Sequence, residues 1–136
     1  MATLRLDIVT PEELAYSEDV EMVILPGADG ELGIYPQHVP ILTQLRIGEL
    51  IAIKQGVEYP MAVGEGFVEV TFDAVHVITD MAVDEEEVNE AEVQQAIERA
   101  RKALAEGGYP DEEVARVQAS LQKSLAQLNV KRRRKV

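Results

Sequence analysis

The hydrophobic pattern changes period once, near residue 84, and that change divides the chain into two kinds of structure. Before it, apolar residues recur at every second position. Leu4, Leu6 and Ile8 alternate with Arg5 and Asp7, and Val20, Met22 and Ile24 follow the same spacing. Val68, Val70 and Phe72 alternate with Glu69 and Thr71, and Val75, Val77, Thr79 and Met81 form a further set. Successive side chains of a strand point to opposite faces, so these sets predict strands with one face buried. The runs "TPEE", "PGADG", "KQG", "GEG" and "FDA" separate them as turns. Several short strands joined by tight turns predict a β-sandwich or barrel rather than a parallel sheet.

After Asp84 the spacing becomes helical. Val93, Ala96, Ile97, Ala100, Ala103 and Leu104 fall on one face of a first helix. Asn89, with Glu92 three residues on, resembles a capping box, and Gly107 and Gly108 stop the helix. Pro110 suits the first turn of a second helix, and Asp111, Glu112 and Glu113 complement its positive end. Val114, Val117, Leu121, Leu125 and Leu128 supply its apolar stripe. The expected organisation is a β-sandwich domain over 1–84 and a C-terminal αα-hairpin over 85–136, with the turn near 105–110. Two helices bury little surface alone, so the hairpin's hold on the first domain is expected to be marginal.

Charge is distributed as unevenly as period. The net charge is -12, and residues 1–84 hold 15 acids against three bases, whereas residues 85–136 hold 10 of each. The first half repels nucleic acid and anionic lipid; only "KRRRK" at 131–135 would attract them. The chain has no cysteine, which excludes a disulfide framework and thiolate-bound zinc. No run approaches the roughly 18 apolar residues of a membrane span, and the opening "MATLRLDIVTPEEL" lacks a signal-peptide apolar core. A soluble or peripheral protein with no direct membrane insertion is expected.

Little in the sequence suggests catalysis. "GADGELGIYPQHVPIL", residues 27–42, carries three glycines at intervals of three, but that spacing is not a dinucleotide fingerprint. Asp29 and Glu31 would also repel a phosphate. His76 alternates with Val75 and Val77 and should face solvent on a strand; His38 lies in a loop between Pro36 and Pro40. Neither has a nucleophile or acid placed beside it in sequence, so no catalytic residue, metal or cofactor is assigned. On residues alone, a non-catalytic adaptor and a small-ligand sensor with a site between hairpin and sandwich both stay open.

Within that loop, "GELGIYPQHVPIL" resembles the signature of the epsilon subunit of the F-type ATP synthase. "IVTPEELAYSEDVEMVILPG" is similar to the family's opening two strands, and "MAVGEGFVEV" to its double-glycine turn, with Glu65 between Gly64 and Gly66. The resemblance covers nearly the whole chain. It implies a sandwich of about ten strands followed by two helices, in a non-catalytic rotor subunit. The implied partners are the gamma subunit, the c-ring and the alpha/beta catalytic head, with the protein peripheral on the cytoplasmic face of a bacterial inner membrane. It implies that Glu31 and His38 meet the c-ring, that Tyr35 helps pack their loop, and that the hairpin can extend into the head and block ATP hydrolysis. Arg116 and Lys123 match the bases that face an acidic loop of the beta subunit in that state. "KRRRK" reads either as a further contact with acidic surface on the head or as a disordered, helix-capping tail.

One family feature does not carry over. Some bacterial relatives bind ATP through isoleucine, aspartate, two variable residues, arginine and alanine at the first helix. The matching run here is "VNEAEV", 88–93, where Asn89 stands for the aspartate and Glu92 reverses the arginine's charge. No nucleotide is therefore expected at that position.

Overall fold

The computed structural model describes residues 2–133. Ten strands form one sheet: β1 (Leu4–Val9), β2 (Leu14–Val20), β3 (Met22–Gly27), β4 (Gly30–Ile34), β5 (Ile41–Leu45), β6 (Gly48–Lys54), β7 (Val57–Val63), β8 (Gly66–Val70), β9 (Ala74–Thr79) and β10 (Ala82–Asp84). Their order is β10-β7-β6-β3-β5-β8-β9-β1-β2, with β4 paired to β3. Among the described residues, only the β1–β9 pair is parallel. The sheet folds over so that its inward residues meet as a sandwich. Leu6, Ile8, Val23, Leu25, Val63, Val68, Val75 and Val77 are all fully buried in that core.

The alternation places most of this core correctly, with three departures. Val20 is buried but Met22 and Ile24 are not; Val23 and Leu25 point inward instead. β2 ends at Val20 and β3 starts at Met22, so the phase slips by one residue at Glu21, whose N–H donates to the Ile53 carbonyl at 2.8 Å. Phe72 lies beyond the end of β8 and is 62% exposed in the β8–β9 turn. Met81 follows β9 and is half-buried under the second helix rather than in the main core.

The "GEG" turn shows why two glycines flank Glu65. A Cβ on Gly66 would overlap the Ile78 carbonyl of β9 and lie 2.9 Å from the Thr79 Cα. A Cβ on Gly64 would overlap the Asp80 carboxylate. The buried Thr79 hydroxyl completes the join, donating to the Glu65 carbonyl at 3.0 Å.

After β10, Asp84 caps a short 3-10 helix (Glu85–Glu87), and the Glu87 carboxylate returns to the Asp84 N–H at 3.1 Å. Helix α1 (Glu90–Glu106) starts at Asn89, whose side chain accepts the Glu92 N–H at 3.1 Å. It ends at Gly107, with φ of 70°, followed by Gly108 at 83°. Pro110 stands just before helix α2 (Asp111–Arg133), and its carbonyl accepts from Glu113 and Val114 N–H. Val93, Ile97 and Ala100 are the buried residues of α1. Leu121, Leu125 and Leu128 of α2 pack against the cluster of Val88, Val93 and Ile97. The most buried residues of α2 are others: Ser124, Ala126 and Val130. Ala126 and Val130 form a second face that rests on Ala62 of β7. The hairpin thus lies folded on the outer side of β6, β7 and β10.

Candidate partner-docking surfaces

Two surfaces stand out, one on the sandwich and one on α2. The first begins at the β3–β4 hairpin tip. Gly30, at φ of 132°, closes that tip in a conformation L side chains rarely adopt. Glu31 follows on β4, exposed and opposite Pro26. Beyond β4 the chain forms the loop 35–40. Gln37, at φ of 69°, donates its N–H to the Phe72 carbonyl at 2.9 Å and ties the loop to the β8–β9 turn. Pro36 and Pro40 fix φ on either side. His38 Nδ1 lies 2.6 Å from the Val39 carbonyl, so the ring donates to its neighbour's backbone.

Tyr35, expected to help pack the loop, is 62% exposed; the Gln37–Phe72 bond and the prolines also hold the loop. Glu31 and His38 both reach the surface zone. No hydrogen bond or ion pair joins them among the described residues: Glu31 sits near the hairpin tip and His38 past the other end of β4.

Away from this loop, at the end of β8 and β9 nearer the hairpin tip, runs a feature the alternation does not single out. Val9, Ile78 and Phe67 stand opposite one another on β1, β9 and β8, and all point outward. They are 40%, 61% and 53% exposed, and Leu42 on neighbouring β5 is 74% exposed. The signal was present in the sequence as Phe, Ile and Val at outward positions where polar residues belong. A polar row borders it: Asp7 lies opposite both Ser17 and His76, and His76 opposite Glu69. The Ser17 hydroxyl donates to Asp7 Oδ1 at 2.6 Å, and His76 Nδ1 lies 3.4 Å from Asp7 Oδ2. His76 is solvent-facing, as its alternation predicts. Open depressions of about 450 Å³ beside Phe67 and about 300 Å³ between Glu31 and Leu42 link the row to the hairpin tip. An apolar row with a polar border suits a protein partner.

Where β2 comes near β6, Lys54 pairs with Glu18 and lies 5.9 Å from the centroid of the Tyr59 ring. The hydrogen bond to Glu18 raises the Lys54 pKa. Burial, then the charge of Glu18, pushes the Tyr16 hydroxyl up to about 12. These groups brace the seam.

The second surface is the basic side of α2. Lys123 Nζ donates to Asp80 Oδ2 at 2.8 Å. Arg133 reaches Glu49 Oε2 at 3.1 Å and Glu58 Oε1 at 3.7 Å, and Arg132 Nε lies 3.7 Å from Glu90 Oε1. Arg116, seven residues before Lys123, is exposed with no carboxylate paired to it among the described residues. It borders an open depression of about 380 Å³ with Tyr109 and Val117 at the hairpin turn. Of the "KRRRK" run, Lys131 to Arg133 are helical, while Arg134 and Lys135 lie outside the described residues. No helix among the described residues is long and apolar enough to cross a membrane.

Residues 3–85 match the family described as ATP synthase, Delta/Epsilon chain, beta-sandwich domain, and residues 86–132 match its long alpha-helix domain. The chain belongs to the ATP synthase delta/epsilon family. It is 40% identical over 135 residues to an ATP synthase epsilon chain of Dehalococcoides mccartyi, covering 99% of this chain and 96% of the relative. It is 38% identical over 123 residues to that of Desulforamulus reducens, covering 90% and 92%. Among solved structures it is similar to a chain of the Euglena gracilis mitochondrial ATP synthase, OSCP/F1/c-ring, with a TM-score of 0.76 and 25% identity over 93% of this chain and 79% of that one. A central stalk/c-ring chain of the Tetrahymena thermophila enzyme shares the fold alone, at a TM-score of 0.57 and 15% identity.

Proposed function

We propose that the chain is the non-catalytic central-stalk subunit of an F-type ATP synthase, turning with the c-ring and coupling ion flow to the catalytic head. Family membership along both halves of the chain carries this reading. In it, the sandwich of residues 1–84 makes the rotor contacts. The apolar row of Val9, Phe67, Ile78 and Leu42 docks the gamma subunit, because a row this exposed is stabilised by a partner that excludes water. Glu31, Tyr35 and His38 face the polar loops of the c-ring. A joint that transmits torque must be stiff, and the prolines and the Gln37–Phe72 bond supply that stiffness.

Residues 85–136 act as a brake on ATP hydrolysis. Extended into the alpha/beta head, α2 presents Arg116 and Lys123 to acidic surface there and packs its leucine stripe on gamma. The two hairpin positions bury comparable apolar stripes, so partners can reverse the balance. The subunit is peripheral, on the cytoplasmic face of a bacterial inner membrane.

The interface loop gives the test. Glu31→Lys combined with Pro36→Gly reverses the charge and softens the joint. The isolated variant is expected to keep its circular dichroism spectrum, because both side chains lie outside the core. Membranes carrying it should make less ATP from an imposed ion gradient. Normal ATP synthesis by the double variant would remove the loop from the coupling path.

A further inference from the structure

α2 meets the sandwich through small apolar side chains. Ala126 and Val130 rest on Ala62, with Ile47, Met81 and Val83 at the margin. So small a patch contributes little by burial alone. Charged contacts bracket it. Lys123 holds Asp80 at one end, and Arg133 bridges Glu49 and Glu58 at the other. Between them the Lys131 ammonium lies 3.5 Å from the Glu85 carbonyl. The wider charge distribution agrees: residues 1–84 carry 15 acids against three bases, and residues 110–136 carry three acids against seven bases. Gly64 prepares the socket, since any side chain there would displace the Asp80 carboxylate.

We infer that Asp80 and the Glu49–Glu58 pair form a salt-releasable latch that holds α2 on the sandwich and competes with partner surfaces for the same bases. The competition rests on the brake reading above; the latch itself does not. Lys123 has a carboxylate partner when the hairpin is folded and another in the head when it is extended. Asp80 acts only in the folded state. A group shifts an equilibrium only by its difference between the two states. Removing Asp80 therefore favours release with the grip on the head intact, whereas removing Lys123 weakens both ends.

The chain has no cysteine, so Ala126→Cys places a single thiol in the interface under α2. The rate at which a thiol reagent modifies it reports hairpin opening in the full chain. Raising salt from about 0.05 M to about 0.5 M shortens the screening length more than twofold and should speed modification. Asp80→Asn and Lys123→Ala should each speed it about two- to fivefold, the range of exposed ion pairs; Glu49→Gln with Glu58→Gln should do the same. Rates unmoved by salt and by all three variants would overturn the latch. In the reconstituted head, Asp80→Asn should then lower ATP hydrolysis, and Lys123→Ala, which weakens both ends, should lower it less or not at all. If both variants speed modification and hydrolysis does not respond, the latch stands and the competition fails together with the brake reading.

Discussion

Gly66→Ala is expected to destabilise the sandwich by about 3 kcal/mol or more, among the largest effects of any single substitution in this chain. The added methyl has no room. It would overlap the Ile78 carbonyl and press on the Thr79 backbone, and backbone cannot rotate away as a side-chain tip can. Gly66 is also opposite Thr79 in the β8–β9 ladder and opposite Leu45 in the β5–β8 ladder, so yielding on one side breaks pairing on the other. Denaturant unfolding of the isolated chain should show a lower midpoint with an unchanged slope. Gly64→Ala is the internal control. Its new methyl meets the Asp80 side chain, which can swing aside at the expense of the Lys123 bond. It should cost much less stability. Equal losses at the two glycines would mean that the turn, not the approach of β9, requires them.

The second large effect concerns α2. Deleting residues 110–136 should leave the sandwich folded and able to assemble, and should raise ATP hydrolysis by the reconstituted head severalfold. The sandwich core of Leu6, Ile8, Leu25 and their neighbours is a separate cluster from the Ala62–Ala126–Val130 patch under α2. The truncation therefore uncovers Ala62 and Met81 without opening the main core. α1 fares worse, because Val93 and Ile97 lose the leucines that cover them and an isolated helix of 17 residues is marginal in water. Loss of α1 helicity by circular dichroism, with the strands retained, is part of the expected result. Hydrolysis unchanged by the deletion, in complexes shown by gel to contain the truncated chain, would make the hairpin structural only.

The sequence carries the switch of period at residue 84 plainly because both halves are amphipathic, and each spacing suits one kind of element. It carries the α1 face equally well, since Val93 and Ile97 are large. It hides the second face of α2, because alanine at 126 and a half-buried lysine at 123 look like ordinary surface. It hides the phase slip at Glu21, because the alternation continues through a break that only pairing with β6 reveals. The latch joins residues 43 and 84 positions apart, and no local pattern records such pairs. Of the proposed docking surface, Glu31 and His38 are assigned only through the resemblance to the family signature. The row of Val9, Phe67 and Ile78 becomes one surface only when β1, β9 and β8 lie side by side.

In the function proposed above, this chain rides on a rotor through the outward face of its sandwich. The most direct measurement is capture from detergent-solubilised membranes with the full chain, tagged, beside a variant carrying Phe67→Asp and Ile78→Asp. Both substitutions sit on exposed positions, so the variant should fold. The original chain should retain the gamma subunit and the c-ring through washing, and the variant should lose gamma. A folded original chain that retains neither partner, or a variant that holds gamma as tightly as the original, would contradict that function.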